Sequence, residues 1–184
     1  MKILISLLLL CGCLLQPMTL HAAEARLDRA TLKAMLEGMG YQPVEKKYNN
    51  SEDKYWEVLF AKGRWTYNAA ISVNNPESVW VTVEFGLYKG PQADIPQGVL
   101  LGLLSENANL VWSRFQYGSS TQSFYLTSSL RNKNVSPADL RRVIDEIIAA
   151  ADRTQKLWDP KQWPTSAVVE SVNSAPEAAG ASPR

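Results

Sequence analysis

An α+β fold, with an antiparallel sheet of five to six strands packed on helices, is predicted by three observations. Extended segments with period-two patterning follow one another, each ended by a short polar turn. Three other segments carry helical periodicity: one before that run, one in the middle of the chain and one near its end. Strands and helices therefore segregate instead of alternating, in the order α-β-β-β(-β)-α-β-β-α, which argues against a parallel α/β sheet.

Asp28 to Met39 reads as the first helix. Leu32, Met35, Leu36 and Met39 fall on one face, with Asp28 as N-cap and Gly40 as the stop. Gln42 to Tyr48 reads as a short strand that Pro43 confines to an edge. Tyr55 to Ala61 alternates with Trp56, Val58 and Phe60 inward, and Lys62-Gly63 turns the chain. Arg64 to Val73 alternates more clearly, with Trp65, Tyr67, Ala69, Ile71 and Val73 opposed to polar neighbours that include Ser72. Val79 to Tyr88 directs Val79, Val81, Val83 and Phe85 inward, so one face of the meander is buried.

Pro96 opens a second helix over Gln97 to Asn107, whose expected apolar stripe is Val99, Leu100, Leu103 and Leu104. Gly98 and Gly102 weaken it in isolation and share a face suited to close packing. Val111 to Tyr117 and Ser123 to Leu130 form a hairpin. The final helix starts at Ser136-Pro137-Ala138-Asp139, an N-cap, a Pro at the first position and an acid at the third. Val135 and Leu140 form a hydrophobic staple. Its stripe runs Leu140, Val143, Ile144, Ile147, Ile148 and Ala151, and the helix is expected to continue to Trp158 before Asp159-Pro160. From Lys161 the chain becomes rich in Ala, Ser, Pro and Glu, too poor in apolar residues to order itself. The expected division is 1–25 leader, 26–160 α+β domain and 161–184 tail.

The leader bears most on function. Lys2 precedes an apolar run from Ile3 to Leu15, and Ala23-Glu24-Ala25 supplies the small-x-small pattern of a cleavage site. The run is shorter than the roughly 20 residues of a spanning helix, and no later apolar run is long enough, so no transmembrane segment is expected. The segment reads as a signal peptide and the protein as periplasmic or secreted. Leu10-Cys11-Gly12-Cys13 also resembles a lipobox, in which Cys13 would be lipidated and anchor the protein to a membrane. The two readings stand side by side.

Both Cys and the single His (His21) lie in that leader. Without it the chain has no thiolate nucleophile, no Ser-His-Asp triad and no ordinary zinc site. No phosphate loop is present, and no cofactor is expected. With 19 Lys plus Arg against 18 Asp plus Glu the chain is near neutral, so it lacks the clustered basic charge of a nucleic-acid binder. Glu57, Glu84 and Asp94 are the remaining acid–base candidates, and their spacing aligns nothing; a carboxylate-only hydrolase ranks last. No enzymatic activity is expected.

The order of elements resembles the YbjN-like family, whose domain has the type III secretion chaperone fold. The matching residues are Leu32-x-x-x-Leu36-x-x-x-Gly40-Tyr41, Val79-Trp80-Val81, Leu103-Leu104-Ser105-Glu106-Asn107, Arg114-Phe115 and Leu157-Trp158, which together cover about Leu27 to Trp158. The resemblance implies a fold whose better-known members bind extended segments of partner proteins and often dimerise. It implies no catalytic set. This chain departs from those chaperones, which are cytosolic and usually acidic.

The strand alternation also predicts an aromatic cluster. If Val79, Val81 and Val83 face the helices, Trp80 and Glu84 face away, and Trp112, Arg114 and Tyr125 are expected on the same outer face. Trp, Tyr and Arg are the types enriched in binding hot spots. These five residues are the partner-binding candidates, for another protein, a homodimer mate or, alternatively, a small envelope ligand. The competing reading packs them on the tail.

Overall fold

The computed structural model describes residues 25–49, 51–88 and 94–163. The elements run α1 (Arg29–Gly38), β1 (Val44–Lys47), β2 (Lys54–Lys62), β3 (Trp65–Asn75), β4 (Ser78–Leu87), α2 (Gln97–Glu106), β5 (Ser113–Gly118), β6 (Ser123–Arg131), α3 (Pro137–Arg153) and α4 (Gln155–Trp158). The six strands form one sheet in the order β1-β2-β3-β4-β6-β5, antiparallel throughout. The predicted α+β class and element order hold. The chain crosses through α2 before entering β5, so β6 pairs with β4 and β5 becomes an edge.

Local chemistry explains most boundaries. The Asp28 carboxylate accepts the Thr31 amide at 2.7 Å, and Gly40 ends α1 at φ +89°, a conformation glycine adopts without a Cβ clash. Ser136 and Asp139 form a reciprocal capping box, with Pro137 beside it. One face of the sheet carries Val58, Ile71, Val79, Val81, Val83 and Leu126, all essentially inaccessible. Leu32 and Leu36 of α1, Val99 and Leu103 of α2, and Leu140, Val143, Ile144 and Ile147 of α3 close over it. Each such side chain contributes about 1.5–3 kcal/mol through removal from water.

Four expectations need correction. The last helix does not run unbroken to Trp158. Thr154 leaves helical geometry, its hydroxyl donating to the Ala150 carbonyl at 2.7 Å, and a separate turn, α4, follows. Trp158 then stacks on Phe85 with centroids 4.6 Å apart and donates its indole N–H to the Ala151 carbonyl. Pro96 caps α2 from outside its first turn, and only Val99 and Leu103 of the expected stripe are buried; Leu100 and Leu104 are exposed. Ser72 does point outward, opposite Trp80, but it is buried, with the Tyr48 hydroxyl donating to its oxygen at 3.4 Å. Val111 and Trp112 precede β5 instead of belonging to it.

The chain just past 160 packs on the sheet. A 3-10 turn over Pro160–Gln162 carries Trp163 onto Tyr88 and Phe124, and its indole donates to the Leu157 carbonyl at 3.0 Å. Residues 1–24 of the leader, Cys11 and Cys13 with them, and the chain from 164 onward lie outside the described residues.

Candidate functional site

Among the described residues, three surfaces bear on function once the core is closed. The first is the outer face of the sheet. Register places Val44, Glu57, Ala70, Thr82, Thr127 and Arg114 in one row across all six strands. Glu84, Tyr125 and Gln116 form a neighbouring row, and Ser72, Trp80 and Ser129 another. Four of the five predicted residues, Trp80, Glu84, Arg114 and Tyr125, therefore share this face.

Small residues in the middle make it concave. Ala70, Asn68 and Thr82 form the floor of a groove of about 580 Å³, with Tyr48 and Tyr55 at one side and Tyr125 and Thr121 at the other. Tyr48 and Tyr55 pack with ring centroids 4.6 Å apart. Burial pushes the Tyr55 hydroxyl pKa up, and the charge of Glu57 adds to that shift. Glu84 accepts the Ser123 hydroxyl at 2.7 Å, and Glu57 pairs with Lys46 at 3.8 Å. Asp94, the third acid–base candidate, lies exposed just before α2 and does not line the groove. The register of Trp80 places it beside the groove, outside its lining.

Trp112 is not on this face. The Glu146 carboxylate of α3 accepts the backbone N–H groups of Val111, Trp112 and Ser113, each at 2.9 Å, and the Ser113 hydroxyl at 2.7 Å. This clamp bends the chain toward α3 before β5 begins. Trp112 instead lines a slot with Leu130, Val135 and Arg142. Alternation could not foresee this, because it extrapolates strand geometry past the point where the strand starts.

The second open surface is the outward side of α2. Leu100, Leu101 and Leu104 are 39%, 53% and 66% exposed. Leu100 and Leu104, with Phe115, Tyr117 and Phe124, border an apolar groove of about 260 Å³ between α2 and β5, and Leu101 is exposed beside them. The signal was present in the sequence: Val99-Leu100-Leu101-Gly102-Leu103-Leu104 is apolar on both sides of a helix, so one side must be left over. The third surface is the slot at Trp112. Among the described residues no cluster of His, Cys, Asp or Glu has the arrangement to hold a metal ion, and no helix is long and apolar enough to cross a membrane.

The geometry defines a single-sheet α+β domain with helices on one face and the other face open. No family model matches the sequence, and no curated protein does. Solved structures do resemble it. An uncharacterised protein from Methanothermobacter thermautotrophicus superposes with a TM-score of 0.50 at 13% identity, over 74% of this chain and 100% of the other. YbjN from E. coli gives 0.47 at 12% identity, over 72% of this chain and 91% of the other. The ExoU-SpcU complex of the Pseudomonas aeruginosa type III secretion system gives 0.48 at 18% identity, over 70% and 98%. At these identities the likeness is one of fold.

Proposed function

We propose that the protein is an exported, non-enzymatic protein-interaction module that docks another protein, or a second copy of itself, through the outward face of α2. The observation that carries this reading is the row of exposed leucines, Leu100, Leu101 and Leu104, beside the groove against β5. Contiguous exposed apolar surface of this kind marks interaction sites. Each leucine fully covered on docking contributes up to about 1.5–3 kcal/mol. The leader-like first 25 residues support export, and they hold both Cys and the single His of the chain.

The test is light scattering and periplasmic crosslinking of wild type and a Leu101→Asp/Leu104→Asp variant. The reading expects a dimer or a crosslinked partner with wild type and loss of both in the variant, with an unchanged melting temperature. A strictly monomeric wild type that crosslinks to nothing overturns it. Intact-mass analysis of native material tests export: removal of the leader is expected, and Met1 still attached in a cytosolic protein contradicts it.

The outer groove favours a second reading, a site for a small polar envelope ligand. Its volume falls within the roughly 300–1,000 Å³ usual for small-molecule sites, and it combines tyrosine faces with Glu57, Asn68, Thr82 and Glu84. Envelope fragments added to the pure protein should then bind, and Glu84→Gln should weaken that binding. Saturating fragments without effect in calorimetry would remove this reading.

A further inference from the structure

The slot at Trp112 lies between the end of β6 and the first turns of α3 and shares no residue with the α2 face. Its walls are apolar: Trp112, Leu130 and Val135. Its rim is basic: Arg131, Lys133 and Arg142. The acid in its lining, Asp139, accepts both the hydroxyl and the amide of Ser136 through one carboxylate oxygen, and its other oxygen lies 3.9 Å from the Arg142 guanidinium, a long, exposed pairing. That bonding, from the Ser136 hydroxyl first, holds the Asp139 carboxyl below the usual range. Three cationic side chains and one carboxylate thus line the slot.

We propose that this slot receives an apolar side chain from a partner polypeptide whose flanking residues are acidic. Size selects the anchor. At about 190 Å³ the slot is smaller than the roughly 300–1,000 Å³ of small-molecule sites, and it fits a single large side chain. Charge selects the flanks, because carboxylates beside the anchor would meet the guanidinium groups of Arg131 and Arg142. Preorganisation favours the site as well. Trp112 is 43% exposed, yet its backbone is held at both ends: its N–H donates to Glu146 and its carbonyl accepts the Ser128 hydroxyl at 2.7 Å. A backbone held in this way removes part of the ordering cost of binding. The proposal rests on the reading of the protein as an interaction module and supplies the chemistry of one partner segment.

The test uses the purified full chain and a fluorescein-labelled peptide with one Phe between two pairs of Glu, compared with the same peptide carrying Lys for Glu. Fluorescence anisotropy should show the Glu peptide binding at least about tenfold more tightly, with affinity falling as salt rises. Trp112→Ala and Arg142→Glu should each weaken it about tenfold or more. Arg142 is a solvent-exposed surface residue, so its substitution stays informative even if Trp112→Ala fails to fold. Equal binding of the two peptides, no binding of the Glu peptide, or indifference to Arg142→Glu overturns the proposal. Light scattering and crosslinking on the same preparation separate the two ideas. Assembly through α2 without Glu-peptide binding sinks the slot and leaves the module standing, whereas loss of assembly and of every crosslinked partner sinks the module.

Discussion

Asn132 is buried and uses both ends of its amide. Its oxygen accepts the Leu27 N–H at 2.8 Å and its nitrogen donates to the Leu27 carbonyl at 2.8 Å. Asn134 repeats the pattern on Ala25, through its side-chain oxygen and its own backbone N–H. Together they strap Ala25 to Leu27 onto the loop after β6. Asn132→Ala leaves two backbone groups in a closed site without partners, so denaturant unfolding should show a loss of roughly 1–3 kcal/mol. Glu146 acts comparably at the other end of the hairpin. Burial alone would raise its carboxyl pKa, but the Ser113 hydroxyl and three backbone amides outweigh that and lower it. A carboxyl with a lowered folded-state pKa stabilises the fold above its unfolded value and loses that contribution as pH falls through the folded value. Acid titration of the melting temperature should therefore show a drop below about pH 4 that is smaller in Glu146→Gln.

Among the elements, α2 combines two glycines with opposite roles. A Cβ at Gly98 would meet nothing within 4 Å, whereas one at Gly102 would stand 2.9 Å from Leu157 Cδ2. Gly98→Ala should stabilise the protein by about 0.5–1 kcal/mol in chemical denaturation, through the helix preference alone. Gly102→Ala should show a smaller gain or a loss, because the Leu157 side chain must rotate away. The sequence told which residues form α2 but assigned Leu100 and Leu104 to the core, since its run of leucines is apolar in every direction and periodicity cannot choose a side. The capping of α3 was fully legible because Ser136, Pro137 and Asp139 act within four neighbouring residues. Ser136→Ala should cost about 1 kcal/mol in thermal unfolding. The break at Thr154, where the Ala150 carbonyl accepts both the backbone N–H and the hydroxyl, was not legible, because the stretch around it suits a continuous helix.

For the molecule as a whole, strand alternation was enough to place the sheet, its buried face and four of the five candidate residues on one side of it. It failed at Trp112, where a carboxylate from α3, more than thirty residues later in the chain, redirects the backbone. The α2 face, the outer groove and the Trp112 slot are separate surfaces with different chemistry. Charge reversal on one should leave the others working: Arg142→Glu is expected to leave assembly through α2 unchanged by light scattering.

Asn107 also acts at this scale. Its side-chain oxygen accepts the Phe115 N–H at 2.6 Å and its nitrogen donates to the Phe115 carbonyl at 3.2 Å, while Glu146 occupies the amide of Ser113. An outermost strand normally offers such groups to any passing chain, and that is how sheets grow into fibrils. Here two side chains already occupy the edge of β5 at Ser113 and Phe115, and the opposite margin, β1, is four residues long and carries Glu45, Lys46 and Lys47. The molecule thus exposes leucines on α2 while the margins of its sheet disfavour stacking edge to edge when crowded.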